Sequence, residues 1–284
     1  MFDSPAVLAQ YLLPKAALTQ FAGCLARTRG GAATTWAIRR FIARYGVDMT
    51  EAADPNPAHY ATFNDFFTRP LRADARPLAQ ADYLCPVDGA ISQFGDIEEG
   101  RIFQAKGHTY SVQTLLAGDA QLAAPFAGGQ FATLYLSPRD YHRIHMPCAG
   151  RLTQMIYVPG ALFSVNPATA RGVPGLFARN ERVICLFDTA CGPLALALVG
   201  ATIVGSMATV WHGVVNPPRP GLVRRWTYDG QPIELAQGAE LGRFLLGSTV
   251  IALWPRGALR FNPRWLPGGA VRMGQMLGMR GTQT

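Results

Sequence analysis

Apolar positions in the first 46 residues recur at helical spacing. Pro14 can begin a helix that places Leu18, Phe21 and Leu25 on one face. A second segment has apolar residues at i, i+3, i+4 and i+7, with three arginines beside them: Ile38, Phe41, Ile42 and Tyr45, then Arg39, Arg40 and Arg44. Such a basic amphipathic helix either packs its apolar face on the rest of the protein or lies on a membrane surface, and the pattern leaves both open.

The pattern changes after a connector rich in proline and arginine, which includes Arg69, Arg72 and Arg76. From about residue 83, short β-prone runs alternate with glycine and proline, at 89–94, 131–136, 152–158, 183–187, 194–199 and 244–253. Neither a helix–strand alternation nor a G-x-G-x-x-G or P-loop motif supports a nucleotide-binding fold. We predict an α+β fold in which an N-terminal amphipathic helical region, residues 1–65, packs on a β-rich domain, residues 66–284, that is antiparallel or barrel-like.

Charge narrows the choice of partners. The chain carries a net charge of +8, and five arginines with no acidic residue fall in 248–284. A basic chain attracts phosphate on nucleic acid or on anionic lipid. Because zinc-finger spacing and RNP-like aromatic motifs are absent from the sequence, we expect no nucleic-acid partner. The longest apolar stretch, 193–204, is interrupted by Gly200 and Thr202, so we expect no membrane-spanning helix.

Two short motifs contain the residue types that proton transfer needs. Asp88 and Gly89 follow Pro86-Val87 at the start of the β region, where Asp-Gly is ordinarily a turn. Two of the five histidines, His142 and His145, fall in Tyr141-His142-Arg143-Ile144-His145-Met146-Pro147. Their spacing also fits a pair of metal ligands, but the sequence offers no convincing third ligand. The five cysteines contain no C-x-x-C pair, which argues against a cysteine-based zinc site and for a reducing compartment.

Two further segments are candidates for reaction and for substrate contact. Ser248 follows Gly247 and precedes an apolar run, where a serine in a tight bend is accessible to chemistry, although most Gly-Ser-Thr triplets are plain turns. The apolar loop that contains Phe163 and Ser164 is bounded by prolines. It is either a packed surface loop or a wall for a hydrophobic substrate.

Taken together, these motifs resemble the phosphatidylserine decarboxylases, in particular the bacterial membrane-associated type. The resemblance runs from about Trp36 to Trp254 and rests on six stretches in this order: 63–72 (FNDFFTRPLR), 86–89 (PVDG), 104–108 (QAKGH), 141–147 (YHRIHMP), 159–166 (PGALFSVN) and 246–249 (LGST). Each stretch is modest alone, but their joint occurrence is specific.

The resemblance implies a self-processing enzyme. The chain would cleave itself between Gly247 and Ser248 into residues 1–247 and 248–284, and Ser248 would become a covalent pyruvoyl group. By resemblance, Asp88 orients His145 and His145 activates Ser248, as in a hydrolase triad that acts once. The pyruvoyl carbonyl would form a Schiff base with phosphatidylserine and yield phosphatidylethanolamine, with His142 as the candidate proton donor. Phe163 and Ser164 would contact substrate, no metal is implied, and His108 has no assigned role.

A membrane-bound substrate implies a peripheral protein on an anionic leaflet. With no export signal in the sequence, we expect the cytoplasmic side of the cell membrane. The resemblance implies a heterodimer of the two cleaved chains, assembled further as a dimer of heterodimers.

Two other functions remain open at this level. A serine hydrolase would use Asp88, His145 and Ser248 repeatedly and remain one chain, but the sequence lacks the G-x-S-x-G elbow. A basic β-rich module that binds anionic lipid would leave the paired histidines without a purpose. The fate of the 247–248 peptide bond separates both from the decarboxylase.

Overall fold

The structure is a computed structural model. It describes residues 5–202, 206–216, 221–228, 230, 232–246 and 248–281. Three helices begin the described chain and a short fourth follows a connector: α1 (Pro5–Leu12), α2 (Lys15–Arg27), α3 (Ala32–Tyr45) and α4 (Phe63–Phe67), with a 3₁₀ turn at Pro57–His59. No helix in these ranges is long and apolar enough to cross a bilayer.

Local sequence explains where these helices begin and end. α2 starts directly after Pro14. α3 ends at Gly46, which has a left-handed φ of 66° and donates its N–H to the Ile42 carbonyl at 2.8 Å. α4 begins with a capping box, because the Thr62 hydroxyl accepts the Asp65 N–H and the Asp65 carboxylate accepts the Thr62 N–H.

The rest of the described chain is mainly β-structure. The strands are β1 (Tyr83–Leu84), β2 (Gly89–Asp96), β3 (Arg101–Ala105), β4 (His108–Ser111), β5 (Gln130–Leu136), β6 (Arg143–His145), β7 (Gly150–Val158), β8 (Arg182–Thr189), β9 (Gly192–Val199), β10 (Met207–Thr209), β11 (Gly213–Val214), β12 (Arg224–Thr227), β13 (Ile233–Leu235), β14 (Glu240–Phe244), β15 (Ser248–Trp254), β16 (Leu259–Phe261), β17 (Ala270–Val271) and β18 (Met276–Arg280). Short helices interrupt them: α5 (Val112–Leu115), α6 (Ala120–Ala123), a 3₁₀ turn (Ala124–Phe126), α7 (Pro167–Gly172) and α8 (Leu176–Arg179).

One large sheet organises the molecule. Its strands lie in the order β12-β7-β8-β9-β15-β5-β2-β17, with β13 also paired to β7. Two smaller sheets, β1-β18-β16 and β11-β10-β14-β6, and the hairpin β3-β4 complete the described strands. Every pairing between these strands is antiparallel, and the order within each sheet has two ends. The predicted α+β class with an antiparallel core is therefore confirmed, and the sheets are open.

The two faces of the large sheet are covered differently. Alternate residues of β15 face opposite sides, and all are essentially buried from Val250 to Trp254. One face packs with the N-terminal helices, in a cluster that includes Val7, Ile38, Phe66, Ile251 and Leu253. The other face packs with C-terminal segments, in a cluster that includes Val250, Ala252, Trp254, Trp265 and Leu277. The N-terminal helices thus pack on the β-structure, while the proposed division at residue 65 stays a prediction.

Candidate active site

The last residues of β5 bring the predicted groups to one end of the large sheet. Tyr135 pairs with Ala90 on β2 and with Thr249 on β15, and Leu136 pairs with Ser248. Neighbouring strands lie about 4.8 Å apart, so the backbones of β2 and β15 are about 10 Å apart at this level. Ser248 therefore begins its strand at the same end of the sheet at which β2 begins.

The bond predicted to break joins Gly247 to Ser248. Gly247 lies outside the described residues, and the backbone of Ser248 opens β15. The prediction of cleavage at this bond therefore rests on the sequence resemblance and on the position of Ser248 at a strand terminus.

Asp88 lies directly before β2, where the backbone makes a close approach to β5. A β-carbon at Gly89 would lie 2.2 Å from the Tyr135 carbonyl oxygen, so only glycine fits there. The Asp88 carboxylate is buried and accepts hydrogen bonds from Arg76 Nε at 3.0 Å and from the Met273 N–H at 2.8 Å. Gly89 is therefore required for the close packing of β2 on β5, while Asp88 beside it is the candidate site residue.

An ion-pair network, buried at Arg76 and exposed at Arg272, holds Asp88. Arg76 also donates from Nη2 to Glu51 at 2.7 Å, and Arg272 donates to the other oxygen of Glu51 at 2.6 Å. Burial alone would lower the pKa of Arg76, but its hydrogen bonds to Asp88 and Glu51 raise it. The same bond from Arg76 lowers the pKa of Glu51. Sequence reasoning noted Arg76 among clustered arginines but assigned it no part in the site.

His145 is held as a neutral imidazole. Nδ1 lies 2.8 Å from the Gly238 carbonyl oxygen, and Nε2 lies 3.0 Å from the Tyr141 hydroxyl. A carbonyl only accepts, so the proton is on Nδ1 and Nε2 accepts from Tyr141. Burial lowers the pKa of His145, opposed by the Gly238 bond and by the charges of Glu240 and Asp88. Nε2 is therefore unprotonated at neutral pH, and its lone pair is engaged by the Tyr141 hydroxyl.

The structure does not join Asp88 and His145 by a hydrogen bond. The Gly238 carbonyl, and not Asp88, is bound to Nδ1 of His145. The link between the two motifs runs through the backbone, because the His145 N–H donates to the Pro86 carbonyl at 2.9 Å. Asp88 acts on His145 at longer range, through its charge. The catalytic roles of Asp88, His145 and Ser248 stay predictions.

His142 lies deeper than His145. Its Nδ1 is 2.7 Å from the Asp140 carbonyl oxygen, and its ring packs on the Phe67 ring at a tilt of 44°, with the ring centroids 4.1 Å apart. Nε2 is buried and has no hydrogen-bond partner among the described residues. Burial, with a smaller contribution from Arg69, lowers the pKa of His142 to about 3. The predicted proton donor is thus an unprotonated base in this geometry.

The apolar loop is covered by the N-terminal helices. Phe163 is buried, and the centroid of its ring lies 5.0 Å from that of Tyr11. The Ser164 N–H donates to the Gln10 side-chain oxygen at 2.8 Å. Asn180 fixes the loop by bonding both the N–H and the carbonyl of Phe163. Neither Phe163 nor Ser164 lines the two pockets described next, so their predicted contact with substrate stays a prediction.

Two adjoining pockets open at this end of the sheet. A polar pocket of about 490 Å³ is lined by Asp88, Tyr141 and several arginines. A more apolar pocket of about 430 Å³ is lined by residues that include Phe103 and Val165. The pockets share four wall residues: Ala90, Tyr135, Pro167 and Gly268. Within the described ranges, no three His, Cys, Asp or Glu side chains are grouped so as to hold a metal ion.

Comparison with known sequences identifies the family. A family profile described as phosphatidylserine decarboxylase matches residues 63–279, which include Asp88, both histidines and Ser248. The chain belongs to the phosphatidylserine decarboxylase family. A second profile, described as PSD, matches residues 5–46, the segment that forms α1 to α3. The resemblance seen in the six sequence stretches is confirmed.

Relatives within the phosphatidylserine decarboxylase family are similar over nearly their whole length. A protein of Azoarcus sp. (strain BH72) is 69% identical over 98% of this chain and 96% of its own. Proteins of Delftia acidovorans (strain DSM 14801 / SPH-1) and Dechloromonas aromatica (strain RCB) are 68% and 66% identical and cover at least 98% of both chains. All three are named phosphatidylserine decarboxylase proenzyme.

The burial of His142 predicts a dependence of stability on pH. The unfolded chain has an ordinary histidine pKa near 6.5, so as the pH falls it takes up a proton before the folded chain does. The stabilisation by neutral His142 is complete above about pH 7 and declines as the pH falls towards 3. By pH 4 we expect wild type to lose about 3 kcal/mol of unfolding free energy that His142→Gln does not lose.

Urea unfolding of wild type and His142→Gln between pH 7 and pH 4 measures this difference. His108→Gln, in the β3-β4 hairpin, is the matched control and should follow wild type. Parallel pH profiles for wild type and His142→Gln would contradict the assignment of a neutral, buried His142.

Proposed function

We propose that the chain cleaves itself between Gly247 and Ser248, converts Ser248 to a pyruvoyl group, and then decarboxylates phosphatidylserine to phosphatidylethanolamine. The observation that carries this proposal is the 66–69% identity, over nearly the whole chain, to relatives named phosphatidylserine decarboxylase proenzyme. A proenzyme requires a maturation step, and the neutral imidazole of His145 supports a base-assisted one.

Maturation needs a nucleophile, a base and a leaving group. The Ser248 hydroxyl attacks the Gly247 carbonyl carbon while His145 Nε2 takes the hydroxyl proton, and the amide nitrogen of Ser248 leaves as an amine after receiving a proton. An ester now joins the two residues. Loss of the Ser248 α-proton breaks the bond between Cβ and the ester oxygen, which leaves a carboxylate on Gly247 and dehydroalanine at 248. Tautomerisation, addition of water and loss of ammonia complete the pyruvoyl group.

The surroundings of Ser248 fit such a group. A carbonyl at position 248 would form at the start of β15, across from Leu136 and next to the pocket wall at Tyr135. When present, a pyruvoyl carbonyl condenses with the substrate amine and takes up the electrons released as carbon dioxide leaves. The chain's own residues then have to bind the headgroup, exclude water and move one proton.

His142 is our candidate for moving that proton. Its Nδ1–H is engaged by the Asp140 carbonyl, so the transferred proton is carried on Nε2. The low pKa of His142 arises mainly from burial, and a negative charge brought close by the substrate would raise it. His142 would therefore become a proton donor only when substrate is bound.

Assayed on vesicles of phosphatidylserine, the purified wild type should release carbon dioxide and form phosphatidylethanolamine in equal amounts, as measured by mass spectrometry of the lipids. Ser248→Ala should form none, because the carbonyl has no other source in this account. Ser111→Ala, at the start of α5, serves as the control and should retain activity. Release of fatty acid instead would favour a hydrolase, and phosphatidylethanolamine from Ser248→Ala would refute the mechanism.

We further propose that the N-terminal helices attach the protein to an anionic membrane. Eight large apolar side chains on or beside α1 to α3 are exposed: Leu8, Tyr11, Leu13, Leu18, Phe21, Leu25, Trp36 and Tyr45. Five exposed arginines lie on or beside the same helices: Arg27, Arg29, Arg39, Arg40 and Arg44. Exposed apolar groups next to cations are what an anionic lipid surface binds. The cytoplasmic leaflet, the paired 1–247 and 248–284 chains and their dimer remain part of this proposal.

Co-sedimentation with vesicles tests the membrane proposal. Phe21 and Trp36 are 66% and 67% exposed, so replacing both with serine should reduce binding to anionic vesicles without unfolding the protein. Leu222→Ser, at a position 69% exposed and outside the helices, is the control. Equal vesicle binding by the double variant and the control would contradict the assignment of this surface.

A further inference from the structure

Arg69, two residues after the end of α4, is a buried cation without a carboxylate partner among the described residues. Only 3% of the residue is exposed, yet it lines the polar pocket. Its Nη2 makes one long hydrogen bond, 3.4 Å, to the Arg139 carbonyl, and its guanidinium lies 5.3 Å from the centre of the Phe66 ring. Within the described residues, Nε has no acceptor and no acidic side chain forms an ion pair with Arg69.

The other charged groups of this pocket are already engaged. Asp88 and Glu51 bind Arg76, and Glu51 also binds Arg272. The two remaining carboxylates have local donors: Asp140 accepts the Ser137 N–H, and Asp48 accepts from Thr50. The fourth arginine, Arg139, is 67% exposed and lies 3.8 Å from Asp140. Among these four arginines and four carboxylates, pairing leaves Arg69 without a carboxylate, while Asp48 is bound by Thr50 instead of by an arginine.

Such an arrangement is costly unless a ligand completes it. Burying a guanidinium without a counter-ion forfeits its hydration, and burial accordingly lowers the pKa of Arg69. A buried cation that faces a pocket is satisfied when an anion enters. A guanidinium has the fork geometry that binds two oxygens of one phosphate or carboxylate.

The adjoining pocket specifies the rest of the ligand. It is lined mainly by apolar side chains, including Ile91, Phe103 and Val165, and shares Tyr135 with the polar pocket. Tyr135 is the strand partner of Thr249, the residue after Ser248. A ligand that filled both pockets would be an amphiphile, with its polar end in the polar pocket and its apolar end in the adjoining one. It would contact Tyr135 and so lie near the start of β15.

We propose that Arg69 binds the phosphodiester of the lipid substrate, with an acyl chain in the adjoining apolar pocket. This inference rests on the proposed function. The phosphate is a better partner than the substrate carboxylate, because a cation paired with the carboxylate would stabilise the ground state that decarboxylation must leave.

The experiment measures binding in the full-length Ser248→Ala chain, where no turnover interferes. Calorimetry would use four probes: inorganic phosphate, serine, glycerophosphoserine and dihexanoyl phosphatidylserine. Adding Arg69→Gln should weaken glycerophosphoserine binding roughly ten- to a hundredfold, since charge-assisted hydrogen bonds to phosphate are lost. Arg72→Gln, three residues along and 54% exposed, is the matched control and should leave binding unchanged. Free serine should bind with the same affinity to the Arg69→Gln and Arg72→Gln variants.

Two variants separate the parts of the site. Phe103→Ser, at a residue 41% exposed, should weaken dihexanoyl phosphatidylserine but not glycerophosphoserine. Arg69→Met should keep or raise the melting temperature while losing the phosphodiester, because it removes a buried cation without a counter-ion. A lowered melting temperature with unchanged affinity would make Arg69 structural and overturn the inference.

The outcomes for the inference and for the proposed function are distinct. If wild type decarboxylates phosphatidylserine and Arg69→Gln keeps the KM of Arg72→Gln, the inference fails and the function stands. If wild type has no decarboxylase activity but phosphodiester binding depends on Arg69, the function fails and the site stands. Binding of inorganic phosphate as tight as glycerophosphoserine would show a free-phosphate site and overturn the lipid assignment.

Discussion

The position of β15 is the constraint on which the rest of the structure depends. This strand begins at Ser248, lies between β5 and β9, and is hydrogen-bonded along both edges. Its side chains from Val250 to Trp254 are buried on both faces of the sheet, which contributes several kcal/mol of hydrophobic stabilisation. A break in the chain just before Ser248 would therefore leave the segment after it fixed in the core. Self-cleavage is compatible with this fold because the new terminus is held at the end of a central strand.

The candidate site contains an ion-pair network around Arg76 and two imidazoles, those of His142 and His145, that are not charged. Arg76 lies between two carboxylates and fixes Asp88 at the start of β2, while the Gly238 carbonyl fixes the tautomer of His145. Desolvation acts on both histidines in the same direction and keeps them as bases. The Phe67 ring packs against His142, and its centroid lies 6.1 Å from the ring centroid of Phe41 on α3. The aromatic contacts thus connect the helices proposed to meet the membrane with the deepest residue of the site.

Much of this was predictable from sequence, because the signals are local. Amphipathic spacing predicted the N-terminal helices, and glycine-punctuated β-prone runs predicted an antiparallel core. The motifs named Asp88, His142, His145 and Ser248 as candidates before any geometry was known. The contacts between them were not predictable in this way. The Gly238 carbonyl at His145 and the Met273 N–H at Asp88 come from segments about 90 and 185 residues away. Every residue has a backbone carbonyl, and all but proline have a backbone N–H, so residue identity does not indicate which of these groups will bind a side chain. Arg69 and Arg76 lie in the same connector rich in proline and arginine, and the sequence does not distinguish them. Only the folded structure shows that Arg76 binds carboxylates and that Arg69 does not.

The state of the 247–248 peptide bond decides the central claim most directly. The measurement is the intact mass, under denaturing conditions, of freshly purified and active protein. The account predicts two chains, 1–247 and 248–284, the second lacking a free amino terminus and carrying a carbonyl that reacts with hydroxylamine. A single chain of 284 residues from an active preparation would contradict it.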